Sequence, residues 1–278
     1  MCRSLAGINI MNGYDLNNPA KTFKLPKDLN EISGLEYHKD QTLLAVQDEN
    51  GLIFAINSEN GDIERTYGFG KDGDYEGIAL VGEHVWVLKS NGNLIRLKKL
   101  EDDASRKVFK THLTTSNDTE GLAYDAANNR LLVVCKESPG KKIKKARAIY
   151  GFDLSTHELS KTPVMLVDLK KVRKMLDASS VAEEDGKEAG MLAGAKGDVT
   201  LKPSGIAIHP VSGDLYLLST VPQLLLILSA NGRILSVDRL NPELFEQPEG
   251  IAFDECQNLY ISNERVCHSA NILRFSPQ

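Results

Sequence analysis

A chain of 278 residues with 41% hydrophobic content has apolar side chains enough for one large β domain or two smaller ones. Its 38 acids outnumber its 33 bases, for a net charge of -5, and without a basic excess to neutralise phosphates nucleic acid is not an expected partner; a small molecule, an ion or a protein fits better. No apolar run reaches the roughly 18 residues that would suggest a membrane span, the longest candidate being the strand-like Leu224 to Leu228.

The first 21 residues carry Asn and Gly and few periodic apolar residues, and read as a loosely packed lead-in. Cys2 follows Met1 with no hydrophobic segment before it, so it reads either as a lipid-modified first residue left by a trimmed signal peptide or as an ordinary cysteine. From Thr22 onward one domain is expected to residue 278. Thr22-Phe-Lys-Leu-Pro26 alternates like a short strand, and Ser33 to Tyr67 then forms four β-rich runs separated by Lys-Asp-Gln, Asp-Glu-Asn-Gly and Glu-Asn-Gly turn signals. Such a four-stranded meander is one propeller blade. A second unit runs from Glu76 to His112 and a third from Glu120 to Leu169, the third carrying the basic run Lys141 to Arg147, read as a solvated loop. At about 170–200 Leu169, Val172, Met175 and Leu176 recur at helical spacing before a charged, Ala- and Gly-rich stretch, which reads as a helix and flexible loop inserted between blades. The fourth unit spans Ser204 to Leu240. The fifth begins at Glu249 and has room for three strands only, so the Thr22 run is the expected donor of the fourth, closing the ring and removing its last open edge.

What ties these units together is a motif of Glu or Ser, Gly, an aliphatic residue, a small or polar residue and a bulky one. Its glycines, 34, 77, 121, 205 and 250, lie 43, 44, 84 and 45 residues apart, a period that marks an array of one supersecondary unit. The expected fold is all-β: a five-bladed propeller of antiparallel blades, with six blades as the alternative if the insertion hides strands.

In a propeller the first strand of each blade lines the central channel, and its start lies beside the end of the second. Ser33, Glu76, Glu120, Ser204 and Glu249, each preceding a repeat glycine, should therefore form one ring, and the second-strand ends Asp48, Lys89, Lys136, Ser219 and Asn263 another, followed by Glu49, Ser90, Glu137, Thr220 and Glu264. Three carboxylates in a confined channel repel one another unless something positive lies among them. Ligands that are all oxygen, with no His or Cys in either ring, suit a hard cation such as calcium rather than zinc. The competing reading is internal neutralisation, with Glu76 near Lys89 and Glu120 near Lys136. From the residues alone the pairing reading is favoured, since two of the three acids have a candidate base.

Other signals carry less. Gly68-Phe-Gly-Lys-Asp-Gly73 matches GxGxxG, but a strand follows where a dinucleotide fold needs a helix. Neither GxSxG nor HExxH occurs, and the six histidines share no repeat column. Cys135 reads as core, and Cys256 and Cys267 flank one strand too far apart for a disulfide, so free thiols are expected.

With the repeat laid out, the chain resembles the SdiA-regulated family, the YjiK-like bacterial propellers, from about Phe23 to Phe275. The resemblance rests on Glu31-Ile-Ser-Gly-Leu35, Gln47-Asp-Glu49, Gly73-Asp-Tyr-Glu-Gly-Ile78, Pro203-Ser-Gly-Ile-Ala-Ile-His-Pro210, Gln247-Pro-Glu-Gly-Ile251 and Leu259-Tyr-Ile-Ser-Asn-Glu264, in order. It implies a five-bladed propeller distantly similar to NHL-repeat proteins, a bound calcium ion and an envelope location. Glu76, Glu120 and Glu249 become the leading metal candidates, with Asp48, Asn263 and Glu264 behind them. One departure is Arg265-Val-Cys-His268, which stands where a glycine-rich turn is expected.

The expected function is a calcium-binding propeller of the bacterial cell envelope, periplasmic or membrane-anchored with the cytoplasm as the alternative, monomeric, binding a small-molecule or protein ligand at a channel mouth that includes Ser33, Ser204, Lys89 and Lys136. One alternative is a calcium-dependent hydrolase of lactones, esters or phosphoesters, disfavoured because no base stands in the repeat columns. The other is a metal-free interaction scaffold.

Overall fold

The computed structural model describes residues 13–102, 105–180 and 199–278, so Cys2 and the Ala- and Gly-rich part of the insertion lie outside the described residues. In chain order, β1 (Lys21–Lys24) precedes a first blade of β2 (Ile32–Tyr37), β3 (Thr42–Gln47), β4 (Leu52–Asn57) and β5 (Ile63–Gly68). The second blade is β6 (Tyr75–Val81), β7 (His84–Lys89), β8 (Leu94–Leu97) and β9 (Lys107–Phe109). The third is β10 (Thr119–Asp125), β11 (Arg130–Cys135) and β12 (Ala146–Asp153), whose outer edge pairs with both β13 (Glu158–Leu159) and β14 (Met165–Asp168). Helix α1 (Leu169–Ser180) follows, then the fourth blade, β15 (Lys202–Ile208), β16 (Leu215–Val221), β17 (Leu224–Leu228) and β18 (Ile234–Arg239). The fifth holds β19 (Pro248–Phe253), β20 (Leu259–Asn263) and β21 (Asn271–Phe275), and β1 completes it antiparallel to β21 with Phe23 opposite Ile272. Five antiparallel sheets make the five-bladed propeller, closed by the N-terminal strand; the six-bladed alternative falls, because the described part of the insertion is helical.

The blades pack because each middle strand is apolar on both faces, and the two-residue period of a strand sends alternate side chains to opposite neighbours. On β3, Leu44 and Val46 join the core between blades 1 and 2, whereas Leu43 and Ala45 join the core shared with blade 5. On β7, Val85 and Val87 face blade 1, while Trp86 and Leu88 face blade 3 among Phe109, Tyr150 and Phe152. On β11, Cys135 faces the core between blades 2 and 3. Five clusters thus fill the five interfaces. Cys256 and Cys267 are exposed, and with Cys135 they are free thiols.

Helix α1 starts where Asp168 Oδ1 accepts from the backbone N–H groups of Lys170 (2.8 Å) and Lys171 (3.2 Å), an N-cap that satisfies two orphan donors. Its apolar stripe, Leu169, Val172 and Leu176, covers the core between blades 3 and 4. The described end of the lead-in is anchored rather than loose: Tyr14 is buried between blades 4 and 5 and donates its hydroxyl to the carbonyl of Gln257 at 2.6 Å. No helix among the described residues is long and apolar enough to cross a membrane.

Candidate functional site at the channel mouth

All five innermost strands carry the same irregularity. Tyr75 pairs with Lys89 but Gly77 with Leu88, leaving Glu76 as an extra residue; Thr119 pairs with Cys135 but Gly121 with Val134, leaving Glu120. The shift recurs before Gly205, between Ile32 and Leu35, and between Pro248 and Ile251. A β-bulge re-aims the extra side chain, and here it carries the Glu/Ser column to the channel. Glycine follows because the strands converge: a Cβ on Gly205 would lie 2.5 Å from the carbonyl oxygen of Glu249, and one on Gly34 would lie 2.7 Å from Cα of Gly77.

Glu76, Glu120, Ser204 and Glu249 line the constricted axis together, all buried, and Ser33 is buried beside them in blade 1. The free space among them is about 10 Å3, at the threshold for a single water or a bare ion. Ser204 donates its hydroxyl to the carbonyl of Pro248 at 2.7 Å. Burial raises the Glu76 carboxyl to about 11, with the adjacent Glu120 and Asp74 adding to the rise. Burial also raises Glu249 well above the usual range. Glu120 rises only to about 7, because Lys136 Nζ, 3.0 Å from its Oε1, opposes the desolvation. Burial draws Lys136 down, but Glu120 and Glu249 more than offset it and hold the ammonium charged. The deep ring thus holds one ion pair, Glu120–Lys136, flanked by two acids whose burial favours the protonated form.

The strand-end columns differ from the expected ones by one residue in two blades. The ladder aligns Lys89 with Gln47, Cys135, Ser219 and Asn263, each opposite the residue two before its repeat glycine. Asp48 and Lys136 belong instead with Ser90, Thr220 and Glu264. A one-residue slip in a strand reverses the face. Accordingly Lys89 does not reach Glu76: its Nζ lies over the Tyr75 ring, 4.9 Å from the centroid. The expected Glu76–Lys89 pair is absent among the described residues, whereas Glu120–Lys136 forms.

Above the deep ring a second set of acids gathers. Oxygens of Glu31, Asp48 and Glu264 all lie within 4.8 Å of one another. Backbone bonds set this up: Asp48 N–H donates to the Glu31 carbonyl at 3.3 Å, and Glu264 N–H to the Gln247 carbonyl at 3.0 Å. Gln247 also donates its side-chain amide to Glu264. Asp48 Oδ1 and Asn263 Oδ1 are buried oxygens with no hydrogen-bond partner. Asn263 is held by its other end, donating to Asn271 Oδ1 at 2.9 Å. Burial, then Glu31, Glu49 and Asp74, raise Asp48 to about 6; burial, then Glu31, Asp48 and Glu120, raise Glu264 to about 8. Close acids with orphan oxygens and raised affinity for protons are what a hard cation would relieve.

The predicted set thus divides. Glu76, Glu120, Glu249 and Lys136 share the deep ring; Asp48 and Glu264 meet at the mouth, with Asn263 next in sequence to Glu264; Lys89 belongs to neither. Glu31 was missed, although the signal was present. It stands two residues before Ser33, as Asp74 stands before Glu76 and Asp118 before Glu120, an acid column of the repeat just ahead of each first strand.

Fold and site together define a five-bladed β-propeller whose narrow channel opens through an acidic mouth. The chain belongs to the SdiA-regulated family, whose model matches residues 11–266. No curated protein matches the chain in sequence. Among solved structures it is similar to the glutaminyl cyclase of Myxococcus xanthus at 13% identity (93% of this chain and 94% of that one, TM-score 0.57). A luciferin-regenerating enzyme matches at 12% (93% and 95%, TM-score 0.53). The PQQ-bound aldose sugar dehydrogenase of Streptomyces coelicolor matches at 14% (94% and 98%, TM-score 0.52). At these identities the likeness is one of fold.

Proposed function

We propose that the chain is a calcium-binding propeller of the bacterial cell envelope that binds its ligand at the channel mouth. The observation that carries the reading is the Glu31–Asp48–Glu264 cluster with the buried, unpartnered Asp48 Oδ1 beside it. Calcium takes six to eight oxygens in an adaptable shell, and three carboxylates supply up to half a dozen, leaving room for water or ligand oxygens. The deep ring is not needed for this: Lys136 pairs with Glu120, and burial favours protons on Glu76 and Glu249. Internal neutralisation therefore fits the ring, and cation binding fits the mouth.

Titration calorimetry of chelator-treated protein with calcium tests the reading. One site is expected, with protons released on binding because Glu264 titrates above its usual range. It should be lost in Asp48→Asn and Glu264→Gln and kept in Glu120→Gln. No heat at millimolar calcium, under two buffers of different ionisation enthalpy, would overturn the proposal.

A further inference from the structure

Beside the mouth cluster, and sharing Glu31 with it, opens a cleft of about 540 Å3 between the β1–β2 connection and the face of blade 1. Its volume lies within the range of small-ligand pockets, roughly 300–1,000 Å3. The lining has a distinct chemistry. Planar amides (Asn30, Gln47, Asn50) and carboxylates (Asp28, Glu31, Glu49) dominate, with one base, Lys27, and an apolar floor at Leu52 and Phe54.

Gln47 is the telling residue. Its side chain is 4% exposed, and its Oε1 is engaged by the backbone N–H groups of Glu49 and of Asn50 (2.7 Å), which fixes the carboxamide plane. Among the described residues its Nε2 group donates to no acceptor, although it lines the cleft. The group opens to the cleft, so a ligand hydroxyl can take the place of water there and accept from a carboxamide already held in one plane. The cleft thus offers one fixed donor, several acceptors for O–H groups, and, through Glu31, an edge on the cation cluster.

From this juxtaposition we infer that the cleft binds a neutral polyhydroxylated ligand, a sugar or cyclitol, one of whose hydroxyls completes the coordination of the ion held by Glu31, Asp48 and Glu264. The inference rests on the calcium reading above. Vicinal hydroxyls both donate and accept, which matches paired amide and carboxylate walls; an anion meets three acids against one base, and an apolar ligand leaves the wall groups unpaired.

The test is ligand-observed NMR of the full chain with D-glucose, D-galactose and myo-inositol as probes, in calcium and in chelator, with spermidine as the cationic comparator. Binding of at least one probe in calcium, weakened about tenfold or more in chelator and in Thr66→Val, which removes a hydroxyl from the cleft wall, is expected. Thr66→Val should leave the calcium heat unaltered. If calcium binds and no probe does, the inference falls while the calcium reading stands. Equal probe binding in chelator refutes the bridging role, and calcium-independent binding of spermidine alone assigns the cleft to cations instead. If calcium itself fails to bind, both readings fall together.

Discussion

Replacing Lys136 with methionine keeps the length and most of the packing of the side chain but removes the one cation of the deep ring. Glu120, with 7% of its side chain exposed, then stands beside Glu76 and Glu249 without its partner at 3.0 Å. Removing one member of a buried pair costs about 3–5 kcal/mol. Because Lys136 is 24% exposed, water replaces part of the interaction, and about 2–3 kcal/mol is expected at pH 8. For a domain of this size that is a fall of about 5 °C in midpoint. The loss must also depend on pH. Without Lys136, Glu120 binds a proton more readily, so at pH 5 it is neutral and the penalty shrinks. Thermal melts in chelator at both values provide the assay. An equal loss at pH 5 and pH 8 would refute the electrostatic account and leave Lys136 acting through packing.

Three further outcomes follow from the same geometry. In chelator the wild-type protein should gain stability as pH falls from 8 towards 5: Glu120, Glu264 and Asp48 bind protons more tightly folded, at about 7, 8 and 6, than unfolded, so stability falls as pH rises through these values. A melting midpoint flat or falling on acidification over that window would contradict it. Gly205→Ala should cost about 1–3 kcal/mol or more, since its Cβ would meet backbone at 2.5 Å, while Gly68→Ala, with nothing within 4 Å, should be near neutral; urea titration distinguishes them. Phe23→Ala should cost about 3–5 kcal/mol, because Phe23 is buried in the core between blades 5 and 1 and carries the closing strand; an unchanged urea midpoint would mean that β1 does not close the ring.

The repeat made the fold legible. A Glu/Ser-Gly-aliphatic motif at a recurring period, the lone strand at Thr22 and three strands after Glu249 favour five closed blades over six, the 84-residue gap leaving the alternative open, and the β1–β21 ladder shows the closure. The helical spacing of Leu169, Val172 and Leu176 likewise marks α1, since one stripe of a helix must face a core. The site was legible only in part. Strand ends taken from hydrophobic runs are uncertain by a residue, which leaves a channel-lining residue indistinguishable from its neighbour on the opposite face. Hydrophobic runs alone align Lys89 with Lys136, whereas the ladder aligns Lys89 with Cys135 and parts them. The bulge could not be read from spacing, although the glycine after each extra residue is its trace. Glu31 lies just ahead of β2, in the acid column with Asp74 and Asp118 that the Glu/Ser-Gly motif does not include.

The measurement that bears most directly on the central claim is the melting midpoint of chelator-treated protein with and without calcium, in wild type, Asp48→Asn and Glu120→Gln. A ligand bound by the folded state alone stabilises by about 2.7 kcal/mol at one hundred times its dissociation constant, a rise of roughly 5 °C here. The account predicts that rise in wild type and in Glu120→Gln and its loss in Asp48→Asn. A midpoint indifferent to calcium in the wild-type protein, or a rise that survives in Asp48→Asn and vanishes in Glu120→Gln, would contradict it.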